Sequence, residues 1–472
     1  MVPAHGFTAM AVAILLASAP ASGAEIVVDT ARQYQTIEGF GTCLISWQGR
    51  YRQLYRTEEF QRVYVNDLGF NMLRGNLWGP VCPNPVEDWR DIRWQDFDMS
   101  VDGGRGQIFI DFGKGIRKLD PDVKIIGTVW SPPPWMKVTG QVTDTQSNAV
   151  RAHSYGEIAN RVKPDYYMHF ARWLVEMVKL HEAAGAPLYA VSPGNEVQFT
   201  QRFESCVWNG EDYARIVGIL GRMLEEEGYG HVKIFGPETM TSHFYEGGTP
   251  DYIRAIMSDP AAAEQLDVFA THGYADNGFE AEMSANSSRQ FWDLVQEYGK
   301  PFWITEGGTG GHDWPEPLLN GVATGIHNAL VAGNVSAYVP WQVIGSRDTH
   351  HLMVYRRGEV TYTPKTYAVL HYSRFIRPGA VRVDASPAYG AVQASAFGHE
   401  AGGALTVVLL NPGEDEQPVS VRFAQDPRVR TMQLHRTSAT EGMKQLANVP
   451  VEGGCVQLRL PPLSMVTLHH PG

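Results

Sequence analysis

The chain has 472 residues, of which 43% are hydrophobic and 19% charged, and its formal net charge is −12. This composition supports a large buried core and argues against bulk disorder, while the acidic balance disfavours nucleic acid or an anionic membrane surface as the main partner. The length exceeds one ordinary domain and suits a barrel of roughly 250 to 350 residues with a smaller module beside it. The 12 Trp, 20 Tyr and 19 Phe fill core positions for the most part, and they also offer flat faces of the kind on which neutral sugars stack.

An apolar run from Thr8 to Ala21 opens the chain and ends in Ala19-Pro-Ala-Ser-Gly-Ala24. It predicts a signal peptide over residues 1–24, with a mature chain from Glu25 that is secreted or periplasmic. His5 is the only basic residue ahead of the run, and the run is too short for a stable membrane anchor. The four cysteines, Cys43, Cys82, Cys206 and Cys455, lack C-x-x-C spacing and a metal signature, so up to two disulfides are open to them in three complete pairings. Neither a cofactor nor a metal is called for, and nothing in the sequence sets the oligomeric state.

From Thr36 onward, β-rich apolar runs alternate with amphipathic segments. The runs are Ile37–Ser46, Phe70–Trp78, Val123–Ser131, Leu188–Pro193, Val232–Gly236, Asp267–Gly273, Phe302–Thr305 and Ala337–Trp341. Between them, Tyr166–Ala184 and Glu211–Glu227 read as one-sided helices, the first closed by Gly185. Eight near-continuous apolar strands alternating with helices predict a (β/α)8 TIM barrel over residues 36–366. A doubly wound sheet is the rival architecture, but Gly39-Phe-Gly41 lacks the third glycine of a dinucleotide turn and stands at the start of its strand. After Tyr367 the period changes to short alternating strands such as Leu405–Leu410, Val419–Phe423 and Cys455–Leu460. These predict an appended antiparallel β-sandwich side domain formed by residues 25–35 and 367–472, with the strand-like Glu25–Asp29 joining it.

Functional groups of such a barrel gather at the C-terminal ends of its strands. Arg74 and Asn76 stand there on the second strand, and Trp130 and Trp135 follow the third. Asn195-Glu196 closes the fourth, His272 and Tyr274 the sixth, Glu306 the seventh and Trp341 the eighth. A carboxylate ending a buried strand needs a partner or a task, because burying it alone is costly. Two of them facing one another across a barrel mouth are what glycoside hydrolysis requires, one to protonate the leaving oxygen and one to attack the anomeric carbon. The chain shows no H-E-x-x-H metal motif and no G-x-S-x-G elbow.

Five stretches, Gln35–Gly41 (QTIEGFG), Val129–Lys137 (VWSPPPWMK), Ala190–Glu196 (AVSPGNE), Phe302–Gly308 (FWITEGG) and Ser373–Val383 (SRFIRPGAVRV), together resemble glycoside hydrolase family 30, of the clan of retaining barrel glycosidases. The resemblance spans about residues 33 to 385. It implies a barrel fused to a β-sandwich and a double-displacement mechanism, with Glu196 as general acid/base and Glu306 as nucleophile. It also implies that Asn195 bonds the sugar 2-hydroxyl and that Arg74 supports the nucleophile. The Arg74 charge is expected to keep Glu306 ionised, and a less polar setting to keep Glu196 protonated. Trp130, His272, Tyr274 and Trp341 are candidate substrate-binding residues, Tyr274 as a hydrogen-bond donor to Glu306 and Trp341 as a sugar platform. Val197 stands where family members commonly carry proline.

The implied substrates are β-linked glycans such as xylan, β-1,6-glucan or β-1,6-galactan. Arg347, Arg356 and Arg357 follow the eighth strand, where glucuronoxylan-cleaving relatives hold an acidic branch, although solvated loop charges are the better account of them. A non-catalytic carbohydrate-binding protein on a barrel scaffold is the rival from another class. A barrel lyase or isomerase is a third reading, with Lys137 the one lysine near a strand end.

Overall fold

The computed structural model describes residues 23–143, 160–198, 200, 203–241, 248–275, 278–309, 311, 313–346, 351–399 and 403–472. The signal-peptide run and Arg347 lie outside the described residues.

The barrel strands are β1 (Gly39–Cys43), β2 (Met72–Asn76), β3 (Lys124–Thr128), β4 (Leu188–Ser192), β5 (Lys233–Thr241), β6 (Val268–Ala275), β7 (Phe302–Glu306) and β8 (Ala337–Tyr338). Each pairs in parallel with its neighbours. The ring closes where Phe235 of β5 lies against Val268 of β6 and where β8 lies between β7 and β1. That closure excludes the open doubly wound sheet. Every residue of β1, β2 and β7 is buried, as expected of strands covered on both faces, and this is why their sequences read as near-continuous apolar runs broken mainly by site residues such as Arg74, Asn76 and Glu306.

Cys43, Met72, Ile126, Ala190, Phe235, Ala270, Trp303 and Ala337 fill the barrel interior. The helices, including Tyr167–Ala183 and Gly210–Glu226, cover the outside. The glycines of the first strand serve packing: a Cβ on Gly41 would lie 2.0 Å from the Met72 carbonyl oxygen. No phosphate turn is built there.

The side domain is one mostly antiparallel ladder of nine strands. Its N-terminal strand, Ala24–Thr36, lies antiparallel to Val381–Ser386 and parallel to Gln417–Phe423. Ile26, Val28, Val407, Val421, Val456 and Leu468 meet in a core separate from the barrel's. The helix Pro364–Ser373 is wedged between the two bodies, with His371 2.8 Å from the hydroxyls of both Thr437 and Thr467. All four cysteines are free, so the disulfides open to them do not form. Cys43 ends β1 inside the barrel and Cys455 lies in the side sheet, too far apart in the fold to meet.

Candidate active site

The parallel strands all end on one face, and the ends of seven of them deliver side chains to a single cleft with an empty volume of about 1030 Å³. Its lining includes Trp47, Asn76, Trp130, Asn195, Glu196, Tyr274, Glu306 and Trp341, with Arg105, Phe203 and Glu204 at the rim. Arg74 lies beneath, with no part of its side chain open to water.

Arg74 organises this floor through its planar fork of donors. Nη1 donates to Glu306 Oε2 at 2.9 Å, Nη2 to Asn195 Oδ1 at 2.6 Å, and Nε to Glu238 Oε1 at 3.0 Å. The guanidinium also lies 4.6 Å from the centre of the Trp130 ring, a cation–π contact. Burial works against this charge, but Glu238, Cys43 and Glu306 outweigh it and hold the guanidinium above its usual range.

Glu306 is the last residue of β7. Its second oxygen, Oε1, accepts from the Tyr274 hydroxyl at 2.9 Å. Its pKa is raised by burial, which outweighs the pull of the neighbouring Arg74 charge. Arg74 does act on Glu306 in the expected sense, favouring the ionised form, while desolvation of the carboxylate is the larger influence and acts the other way.

His272 lies between the two carboxylate-bearing strands. Burial pushes its imidazole down to about 4, so it is neutral near pH 7. Arg74 Nη2 is 3.4 Å from Nε2, and an arginine N–H can only donate, so Nε2 is the acceptor. The proton then sits on Nδ1, which donates to Glu196 Oε1 at 3.2 Å. Glu196 follows β4 with a backbone φ of +47°, a left-handed conformation that costs a non-glycine residue about 1–3 kcal/mol. Its N–H donates to the Glu238 carbonyl at 2.9 Å, which ties it to the end of β5.

Glu196, His272 and Glu306 each offer an atom within 4.8 Å of the other two. A cation is already supplied to this cluster by Arg74, and a metal ion would have to compete with that guanidinium at close range. Trp341 stacks against Trp47 with ring centres 5.6 Å apart, and Trp130 tilts against it at 6.2 Å. The arrangement is an aromatic-walled cleft over two carboxylates.

Nine of the ten strand-end residues singled out from the sequence thus meet at one place. Trp135 does not join them: its Nε1 donates to the Cys82 carbonyl, and its ring packs on Tyr166 and His169. Lys137 is wholly buried, donating to Ser131 Oγ at 2.8 Å and the Ser205 carbonyl at 2.7 Å, and is thereby tied up as a structural clamp. Arg356, exposed at the end of the strand Met353–Arg356, donates to the Ser346 carbonyl, and neither it nor Arg357 lines the cleft. Sequence reasoning missed Glu238 and Trp47. Glu238 carried the same signal as Glu306, a carboxylate just beyond a buried run, in Gly236-Pro-Glu238; Trp47 directly follows the first run.

A (β/α)8 barrel with paired buried carboxylates at its mouth and aromatic walls defines the class of barrel glycosidases. No family model matches the chain. A glucuronoxylanase of Bacillus subtilis (strain 168) is 25% identical over 457 residues, covering 94% of this chain and 92% of that protein. An endo-1,6-β-glucanase of Aspergillus fumigatus is 23% identical over 331 residues, 68% of this chain and 65% of that one. The solved structure of a glycoside hydrolase family 30 subfamily 8 xylanase from Clostridium acetobutylicum matches with a TM-score of 0.71 at 22% identity, over 95% of this chain and 100% of that one. Together, relatives and structural neighbours support membership of glycoside hydrolase family 30 and O-glycosyl hydrolase activity.

Proposed function

We propose that the protein is an exported retaining glycoside hydrolase that cleaves β-linked glycans, of the kind represented by xylan, β-1,6-glucan or β-1,6-galactan, by double displacement. The observation that carries this is the spacing of the two carboxylates. Oxygens of Glu196 and Glu306 lie within 4.8 Å, which suits the roughly 5 Å separation of retaining enzymes better than the wider gap of inverting ones.

Glu306 attacks the anomeric carbon while the proton on Glu196 passes to the departing glycosidic oxygen, so that a C–O bond forms as another breaks. Glu196, now a carboxylate, takes a proton from water; the water oxygen attacks the same carbon and releases Glu306. Donation from His272 Nδ1 to Glu196 Oε1 favours carrying the acid proton on the other oxygen. Arg74 and Tyr274 hold one oxygen each of Glu306, which leaves the carboxylate little freedom to rotate. Because Asn195 Oδ1 already accepts from Arg74, its amide N–H groups are the ones turned to a sugar 2-hydroxyl. Trp341, backed by Trp47, offers the platform under the attacked ring. Export is supported by the apolar run Thr8–Ala21 and the Ser22-Gly-Ala24 end. Among the described residues no helix is long and apolar enough to cross a membrane.

The test is hydrolysis of xylan, β-1,6-glucan and β-1,6-galactan by wild type, Glu306→Gln and Glu196→Gln. On the glycan that wild type cleaves, each variant is expected to lose on the order of 10²-fold or more in kcat. Full activity in either variant overturns the assigned roles. Binding without turnover by wild type across the panel returns the chain to the carbohydrate-binding class.

A further inference from the structure

One buried carboxylate close to the cleft takes no part in the chemistry above. Glu282 ends the strand Gly278–Glu282, which lies antiparallel to β6 and places Glu282 directly across from Tyr274. Its Oε1 accepts from the backbone N–H groups of Gly308 at 2.6 Å and Thr309 at 2.5 Å, and its Oε2 from the Tyr338 hydroxyl at 2.6 Å. Three donors converge on one side chain, an arrangement that calls for acceptor oxygens and is met best by a carboxylate.

From the other side, Lys365 Nζ donates to the Gly308 carbonyl at 3.1 Å. Gly308 is therefore gripped at both its N–H and its C=O, two residues after Glu306. Its φ of +99° is a conformation that favours glycine. The space for the carboxylate is made by glycines as well: a Cβ on Gly325 would lie 2.6 Å from Glu282 Cγ.

We infer that Glu282 is a positioning residue for the nucleophile, acting through the Gly307–Thr309 backbone to aim the Glu306 carboxylate at the anomeric carbon. One strand pair then supplies both restraints. Tyr274 holds Glu306 by its oxygen, and Glu282, opposite Tyr274, holds the chain on which Glu306 stands. A third strand joins in, because Tyr338 of β8 is bound to Glu282. The inference rests on the reading of Glu306 as nucleophile.

The experiment separates positioning from folding by removing what is positioned. Kinetics are measured with a 2,4-dinitrophenyl β-glycoside of the sugar that wild type hydrolyses, in the wild-type background and in Glu306→Gly with added sodium azide. In the second background azide attacks the anomeric carbon, forming a C–N bond as the dinitrophenolate leaves with its electron pair, and no carboxylate needs aiming. In the first background Glu282→Ala is expected to lower kcat roughly 100-fold, with KM changed less than about threefold and most of the loss recovered by Glu282→Gln, which keeps Oε1. In the azide background the same substitution is expected to cost less than about threefold.

An equal loss in both backgrounds, or a loss carried by KM, overturns the inference. If Glu282→Ala does not accumulate as folded protein, Tyr338→Phe, which removes the donor to Glu282 Oε2, is read in the same two backgrounds. A kcat loss confined to the first background then supports the inference, and equal losses or none overturn it. If azide fails to rescue Glu306→Gly, the nucleophile reading itself is withdrawn, and that result is visible before any Glu282 variant is made.

Discussion

At Arg74 a buried guanidinium meets two buried carboxylates, Glu306 at 2.9 Å and Glu238 at 3.0 Å. Burial raises the Glu306 pKa, and the nucleophile must be ionised, so the acid limb of kcat/KM is expected above the ordinary glutamate range. Arg74→Met removes an influence that lowers that pKa, and its limb should move further up in pH. Arg74→Lys, which keeps the charge, should stay nearer wild type while losing the forked contacts. Removing one partner of a buried pair also costs about 3–5 kcal/mol of stability, so the pH profile is the discriminating readout; a limb unmoved in Arg74→Met contradicts this electrostatic role. Glu306, Glu196 and Arg74 were legible because each stands beside a recognisable apolar run. His272 was legible as a position but not as a tautomer, since that follows only from Arg74 lying against Nε2.

Among the elements, the eight barrel strands were readable because a strand covered on both faces has few polar positions to interrupt it. The antiparallel strand Gly278–Glu282 was not: it has only five residues and carries two glutamates, and its role depends on lying across from β6. The loop after β3 was read through its tryptophans, but its anchor is Lys137. This side chain spans from Ser131 to the Ser205 carbonyl, and so joins the β3 loop to the segment that carries Phe203 and Glu204 at the cleft rim. A buried lysine without its carbonyl partners is costly, and so are those carbonyls without the lysine. Lys137→Met is therefore expected to lower stability by about 2–4 kcal/mol in a denaturant titration and to raise KM more than it lowers kcat. A stability change below about 0.5 kcal/mol contradicts the clamp.

In the whole molecule, the side sheet reaches the catalytic floor through one helix. Pro364–Ser373 sends Lys365 to the Gly308 carbonyl near its start and His371 to Thr437 and Thr467 near its end. A further link joins Trp314 Nε1 to the Leu463 carbonyl at 2.6 Å. The sheet therefore braces the loop that follows Glu306, a connection invisible in a sequence where Lys365 and Gly308 lie 57 positions apart. The whole arrangement converges on a single claim, that Glu306 forms a covalent bond to the sugar. Incubation with a 2-deoxy-2-fluoro β-glycoside carrying a dinitrophenolate leaving group, followed by peptide mass spectrometry, tests it directly. The predicted result is time-dependent inactivation with one glycosyl adduct on Glu306. An adduct on any other residue, or steady hydrolysis with an inverted product and no adduct, would contradict it.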